Sequence, residues 1–176
     1  MEHKQLLTVF NSLPVGIGFF TADGTLVRCN ESFCRIFGAD SQTLLGNKLN
    51  INENSVVPDV VKEAVRRCVP VQMSFLYDFD KQRTDKRFFS TRTRTCYLKC
   101  NGNPLYDNDG KFVNYIFIFE DITETVKSEE VLRQSRRKTE LAIKAANIMF
   151  WEFDAVAKLF YSDNEPLNGY DQSKPV

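Results

Sequence analysis

Residues 103 to 132, which read NPLYDNDGKFVNYIFIFEDITETVKSEEVL, constrain the fold more than any other stretch of this chain. Asp107-Asn108-Asp109-Gly110 is a tight turn in which glycine supplies the positive φ that a hairpin needs. Phe112 to Phe119 is a run rich in aromatic and β-branched side chains, which predicts a strand. Asp121-Ile122-Thr123-Glu124 then stops the strand and starts a helix. Asp121 caps the first turn while Glu124 reaches back from three residues on, or Thr123 caps instead. From there to about Ala146 the chain has no Gly or Pro and its charge is dense and mixed. A buried strand is thereby coupled rigidly to a long exposed helix, a geometry that suits a transmitter.

The strand is apolar on both sides, with Val113, Tyr115, Phe117 and Phe119 on one and Ile116 and Ile118 on the other. A half-exposed strand would alternate with polar residues. Something must therefore cover the outer face, most simply the N-terminal helix or a second subunit. With 15 Phe and 43% hydrophobic residues, the 176-residue chain has material for one domain and an appendage, or for two small domains. Net charge is zero, so no nucleic acid or anionic membrane is called for. No apolar run approaches the ~20 residues that span a bilayer. The start, MEHKQLLTVF, has no signal-peptide core, and a cytoplasmic location is expected. Five Cys without zinc-type spacing suggest free thiols in a reducing compartment.

In chain order, residues 2 to 12 form a short amphipathic helix ended by Pro14. Val15 to Thr21 is a first strand, Ala22-Asp23-Gly24 a turn and Thr25 to Cys29 a second strand. Asn30 caps a helix over Glu31 to Phe37 that Gly38 closes, and Asp40 caps another ending at Gly46. Ser55 to Cys68 reads as the longest helix of the first half. Val57, Val60, Val61, Ala64, Val65 and Cys68 lie on one face, and Pro58 sits in the first turn. Val71 to Phe79 is a third strand and Cys96 to Asn101 a fourth. Between them lies a basic segment, Lys81 to Arg94, expected to be a solvated connection, with Asp78 and Asp80 as exposed strand-end charges. With an offset of 134, Phe19 falls on Phe153, Leu26 on Phe160 and Asn30-Glu31 on Asn164-Glu165, so the last 30 residues read as the domain beginning again: strand, turn, strand, helix start.

The opening succession, with Asn30-Glu31-Ser32-Phe33 and Leu44-Leu45-Gly46, and the Asp121-Ile122-Thr123-Glu124 junction together resemble a PAS domain, over most of residues 6 to 146. The resemblance implies an α+β fold: a five-stranded antiparallel sheet in order 2-1-5-4-3 with helices on one face, then a long signalling helix. It implies a sensor domain over 1–121, a signalling helix over 122–146 and a truncated second PAS domain over 147–176. It implies a cavity lined by Phe33, Phe37, Val61, Val65, Cys96, Leu98 and Cys100. Signal coupling would run through Asp121, Ile122, Thr123 and Glu124. Haem-binding relatives supply an axial His from the cavity-facing helix, and residues 55 to 68 contain none. Flavin-photochemical relatives carry Asn-Cys-Arg-Phe-Leu-Gln, whereas Cys68 is followed by Val-Pro-Val-Gln. Neither cofactor is expected; a non-covalent small ligand of unknown identity stays open.

His3, the only histidine, lies in the N-terminal helix, which removes a Ser-His or Cys-His pair from the core and any multi-His metal site. There is no GxxxxGK[ST] loop, no GxGxxG and no histidine-kinase phosphoacceptor box. The chain is therefore read as a regulatory segment and not an enzyme, with a kinase or other effector domain lying outside it. Cys96, Leu98 and Cys100 share a strand face, with the two thiols about 13 Å apart at ~3.3 Å per residue, too far to chelate one ion or close a disulfide. They read as small apolar filler. Along the long helix the heptad positions Ile122, Thr125, Glu129, Leu132, Arg136, Thr139, Ile143 and Ala146 are half polar, a poor coiled-coil seam. A marginal helix pair within a homodimer is expected. The reading is a sensory module of a two-component sensor histidine kinase. The alternatives are a ligand-free dimerisation module, or a regulator of a transcription factor or cyclic-nucleotide enzyme.

Overall fold

The structure, a computed structural model, describes residues 2–82, 90–146, 151–154, 156, 159–162 and 165–166. Its elements are α1 (Glu2–Ser12), β1 (Gly16–Phe20), β2 (Leu26–Cys29), α2 (Glu31–Phe37), α3 (Ser41–Gly46), α4 (Asp59–Arg67), β3 (Val71–Asp78), α5 (Phe79–Gln82), β4 (Thr95–Tyr106), β5 (Phe112–Asp121), α6 (Thr123–Ala145), β6 (Trp151–Asp154), β7 (Leu159–Ser162) and β8 (Glu165–Pro166). They fall into two compact units, residues 1–126 and 127–176.

The first unit is the expected α+β sheet, order β2-β1-β5-β4-β3, antiparallel throughout. β5 sits at its centre, with β4 paired along it from Phe112 to Asp121 and β1 paired from Tyr115 to Phe119. β4 is twice as long as the sequence suggests, running on through Gly102 and Pro104. Gly102 permits this because a Cβ there would come within 2.4 Å of the Phe117 ring and 2.7 Å of Tyr115. Pro104 lies past the Val71–Gly102 pair, where β4 has β5 alone as a neighbour, so its missing N–H costs little.

Two other expectations are corrected. The helix over Ser55 to Cys68 starts only at Asp59, with Pro58 extended at the cap position, and is shorter than α1. A residue before proline is pushed out of the helical region, so the helix cannot extend back through Val57. Val60 does not join the buried face and is 64% exposed, whereas Val61, Ala64 and Val65 are buried. The third strand stops at Asp78, because Phe79 donates its N–H to Arg94 O and opens α5. Asp78 caps that turn by accepting from the backbone N–H of Lys81 (2.9 Å), and the exposed Asp80 within it accepts from that of Arg94 (3.1 Å).

The inner sheet face packs on the helices through aromatic rings. Phe20 meets Phe117 at 5.4 Å, and Phe119 lies 5.2 Å from Phe37 and 5.8 Å from Phe33, all edge to face. Each such pair adds about 0.5–1.5 kcal/mol beyond the area it buries. On β5, Tyr115, Phe117 and Phe119 point inward; Ile116 and Ile118 look outward and are half-buried. Their partners Phe19 and Ile17 share that outer face. Ile17 is 7% exposed although it stands outside the main core. Phe10 of α1 rests against Phe19 with ring centres 6.1 Å apart, and the Arg28 guanidinium lies 5.1 Å from the Phe10 ring. The N-terminal helix thus covers part of the outer face.

α6 begins in the first unit and continues into the second from Lys127; it has no buried residue and carries its own Glu130–Arg133 ion pair at 2.9 Å. β6 and β7 form an antiparallel hairpin from Trp151–Ser162 to Asp154–Leu159. The anticipated Asn-Glu helix start is corrected at Glu165. That residue pairs with Ser162 in β8, as expected for a residue held extended by the next proline; Asn164 lies outside the described residues.

Asn30 joins the layers of the first unit. It is 1% exposed, and its Oδ1 accepts from Ile17 N (2.8 Å) and Phe33 N (2.9 Å). Its Nδ2 donates to Phe10 O (3.0 Å) and Val15 O (2.9 Å). Asn30→Ala removes a helix cap and strands four backbone groups, the N–H of Ile17 and of Phe33 buried and the carbonyls of Phe10 and Val15 partly so. A loss of about 3 kcal/mol is expected from about 1 for the cap and 1–3 for unpaired groups, read as a lowered urea midpoint at unchanged slope.

Candidate functional site

Two regions of the first unit carry functional candidates: the cavity between sheet and helices, and the junction of β5 with α6.

The cavity measures about 20 Å³ and is lined by Phe20, Phe33, Phe37, Leu49, Ile51, Asn54, Val57, Val61, Phe75, Tyr77 and Phe119. That is room for one water, for which about 10–15 Å³ suffices. Of the seven residues proposed from sequence, Phe33, Phe37 and Val61 line it. Val65, Cys96, Leu98 and Cys100 are buried in the same core but away from the cavity. Burial pushes the Cys96 thiol up to about 11 and that of Cys100 to about 12, so both stay protonated and act as apolar filler. One polar chain reaches the cavity wall: Asn54 Nδ2 donates to Tyr77 Oη (3.1 Å), and the Tyr77 hydroxyl donates to Gln82 Oε1. Nothing in the sequence singles out Gln82 or Asn54, since a lone amide carries no signal of burial. Among the described residues no three His, Cys, Asp or Glu side chains gather as a metal site.

At the junction the β4–β5 ladder continues to the Leu98–Asp121 pair and then to Ile122, whose N–H donates to Tyr97 O at 2.9 Å. Tyr97 N in turn donates to Thr123 Oγ1 at 2.9 Å. The threonine hydroxyl thus completes the sheet while its own backbone begins the helix. Asp121 does cap, but at closer range than the sequence pattern implied: its Oδ1 accepts from Thr123 N (3.1 Å) and from the Thr123 hydroxyl (2.5 Å). Val126 N donates to Ile122 O, which makes Ile122 the first residue of the helical ladder. Glu124 occupies the exposed first turn.

The other carboxylate oxygen of Asp121 faces Arg92. Nη2 of Arg92 lies 2.9 Å from Asp121 Oδ2, and Nη1 donates to Ile36 O at 2.9 Å. The guanidinium also stands 5.1 Å from the Phe79 ring. Its neighbours fasten the same helix end: Ser90 Oγ donates to Phe37 O (2.7 Å) and Thr91 N to Gly38 O (2.7 Å). The carbonyls left over at the end of α2 are thus satisfied by residues 90–92. Gly38 makes the approach possible twice over. Its φ of +63° suits glycine, and a Cβ would come within 2.7 Å of Arg92 Cγ. The basic stretch is therefore not merely a solvated connection: Ser90 is buried and Arg92 bridges α2 to the start of α6; residues 83–89 lie outside the described set. Nothing in the sequence distinguishes this arginine among the six cations of the stretch. Burial pushes the Asp121 carboxyl up, but the Thr123 hydroxyl and N–H and the Arg92 guanidinium outweigh it and hold it below the ordinary value of 3.8.

The profile of the family described as PAS fold matches residues 10–127. A probable diguanylate cyclase, DgcE of Escherichia coli (strain K12), is 20% identical over 157 residues, which is 89% of this chain and 14% of that protein. Among solved structures, an RNA-binding Light-Oxygen-Voltage receptor superposes with a TM-score of 0.57 at 17% identity, over 80% of this chain and 38% of that one. A PAS domain from Colwellia psychrerythraea gives 0.53 at 15%, over 70% of this chain and 99% of its own. A PAS domain of a two-component sensor histidine kinase gives 0.51 at 14%, over 68% and 96%. The chain thus spans about a seventh of the E. coli relative, and at these identities the structures speak for the fold alone. No helix among the described residues is long and apolar enough to cross a membrane.

Because the Asp121 carboxyl is held low, its contribution to stability is fully present above the unfolded value and is lost as pH falls through the folded one, below about 4. Asp121→Ala should cost about 0.5–2 kcal/mol, and a double-mutant cycle with Arg92→Ala should return a coupling of about 0.5–1 kcal/mol. Urea unfolding at pH 7 and again at pH 3 checks both: the coupling should shrink at the lower pH.

Proposed function

This chain belongs to the PAS fold family, and from that premise we propose that its first unit is a sensory module that reports the state of its core through the Asp121–Thr123 junction to α6. The observation that carries the reading is the Arg92 bridge. The last turn of α2 supplies both a cavity wall, through Phe37, and a carbonyl, Ile36 O, held by the guanidinium that holds Asp121. A change in how Phe37 packs therefore acts on a helix end bonded to the start of the output helix. An input biases the output only by its difference in affinity for two arrangements of these parts.

The parent is a multidomain signalling protein of the two-component histidine kinase kind, working in the cytoplasm as a homodimer, with residues 147–176 beginning a second PAS domain. The kinase PAS neighbour supports this context, and the name of the E. coli relative supports a diguanylate cyclase as the alternative effector. Leu6 and Val9, exposed on α1, and the half-buried Ile116 and Ile118 of the outer sheet face offer apolar surface for a second copy. On α6 the exposed Leu132 and the part-buried Ile143 are seam positions for a loosely held helix pair.

The core takes neither haem nor flavin in this reading. Its cavity of about 20 Å³ compares with ~300–1,000 Å³ for ordinary ligand sites, and room for a cofactor would require several aromatic rings to leave. The same filled core favours a second reading, a ligand-free dimerisation module. Native mass spectrometry of freshly purified protein should give the mass of two chains with no adduct of cofactor size. Any absorption band at wavelengths longer than the ultraviolet bands of the aromatic side chains would overturn the cofactor statement, and a small co-purified molecule would decide against the second reading.

In the full-length parent, Asp121→Ala and Arg92→Ala should each uncouple output from input while expression persists. Amide exchange across residues 121–132 should quicken in step. Unchanged output together with unchanged exchange would make this segment an ordinary connector.

A further inference from the structure

Two thiols that the junction and the cavity leave unused meet at the start of α2. Cys29 ends β2, Asn30 caps α2, and Cys34 lies in the second helical turn. These are the positions, one before the cap and four after it, at which a pair of apolar side chains staples the entering chain to a helix. Their sulfurs lie 3.8 Å apart and both residues are half-buried. A disulfide has its sulfurs about 2.05 Å apart, so each has to travel less than about 1 Å. The ring that would close encloses Asn30, whose carboxamide holds Phe10, Val15, Ile17 and Phe33.

We propose that Cys29 and Cys34 form a reversible dithiol–disulfide site, oxidised by low-molecular-weight disulfides of the glutathione class, that turns an apolar staple into a covalent brace around Asn30. One protein thiolate attacks a sulfur of oxidised glutathione, expelling a glutathione thiolate and leaving a mixed disulfide. The second protein sulfur attacks the protein sulfur of that mixed disulfide and expels the second glutathione. The two thiol protons end on the two reduced glutathione molecules. The protein loses two electrons and glutathione disulfide gains them. Reduced, the pair packs as small hydrophobes do. Burial pushes the Cys29 thiol up to about 12 and raises that of Cys34, so the thiolate fraction is small and the exchange slow at neutral pH. The site accordingly follows a sustained redox poise and not a brief oxidant pulse. The inference stands on this pair alone and does not depend on the route through Asp121.

The full chain is equilibrated in glutathione buffers of graded poise, acid-quenched, alkylated and cleaved with trypsin. Arg28 and Arg35 flank the pair, so both cysteines fall in one peptide, residues 29–35. As the buffer becomes more oxidising, this peptide should pass from its doubly alkylated form to an unalkylated one two hydrogens lighter than the free dithiol, without chain dimerisation, and dithiothreitol before alkylation should restore both labels. Cys34→Ser should abolish the change. The folded chain should close the ring at a more reducing poise than the same chain in urea. In the oxidised protein, exchange of the Ile17 and Phe33 amides, both bonded to Asn30 Oδ1, should slow severalfold. A peptide that stays reduced, carries only glutathione adducts, or closes no more readily folded than in urea would overturn the proposal. So would a disulfide that leaves those two amides unchanged.

Discussion

The carboxamide of Asn30 sits where three parts of the first unit converge: the end of α1, the entry into β1 and the first turn of α2. Each of these offers a backbone group that secondary structure cannot pair, and one buried side chain satisfies four of them. Burying a polar group is favourable only when its bonds are complete, so this arrangement exists whole or not at all. It fixes where α2 stands over the sheet, and so where Phe33 and Phe37 project. Ser32 adds a bond from its hydroxyl to Leu13 O on the same side. The helix that covers the outer face and the helix that covers the inner one therefore share an anchor.

At its other end α2 has a different kind of support. The carbonyls of Ile36, Phe37 and Gly38 are held by the 90–92 segment, and Arg92 passes from there to Asp121. The C-terminal support includes a buried bond from Ser90 to Phe37 O, while its onward link from Arg92 to Asp121 is partly exposed and rests on a charge pair, with the guanidinium also against the Phe79 ring. Exposed pairs of this kind contribute little individually, about 0–1 kcal/mol. A link of that strength can rearrange at low cost, whereas a bond worth several kcal/mol would hold one pose.

The aromatic core links the two ends. Phe33 and Phe37 are neighbours at 4.5 Å, and both touch Phe119, two residues before Asp121 on the central strand. Cores of this density shift between discrete packings more readily than they deform continuously, because rings at such spacing have no free volume to absorb a small displacement. With a cavity of about 20 Å³, any larger guest has to move a ring, and the nearest rings are those that abut α2 and β5.

Local chemistry made much of this architecture legible in the sequence. Asn30, Gly38 and Asp40 mark helix ends because their side chains or φ angles act within a few residues of themselves. The run from Phe112 to Phe119 marks a strand with both faces covered, because a half-exposed strand would alternate with polar residues. The PAS resemblance carried the strand order. What the sequence could not decide depended on residues far apart in the chain. Which arginine of the basic stretch meets Asp121, 29 residues away, depends on where the sheet ends. Whether β4 passes Gly102 depends on a ring from β5 lying over it, and whether Val60 is buried depends on how α4 rolls against the sheet. Four of seven proposed cavity residues miss the cavity because alternation on a strand fixes the face but not the position of a gap among packed rings. Local sequence determined the elements and their caps; only the tertiary packing decided which side chains meet, because meeting is a property of two segments and periodicity is a property of one.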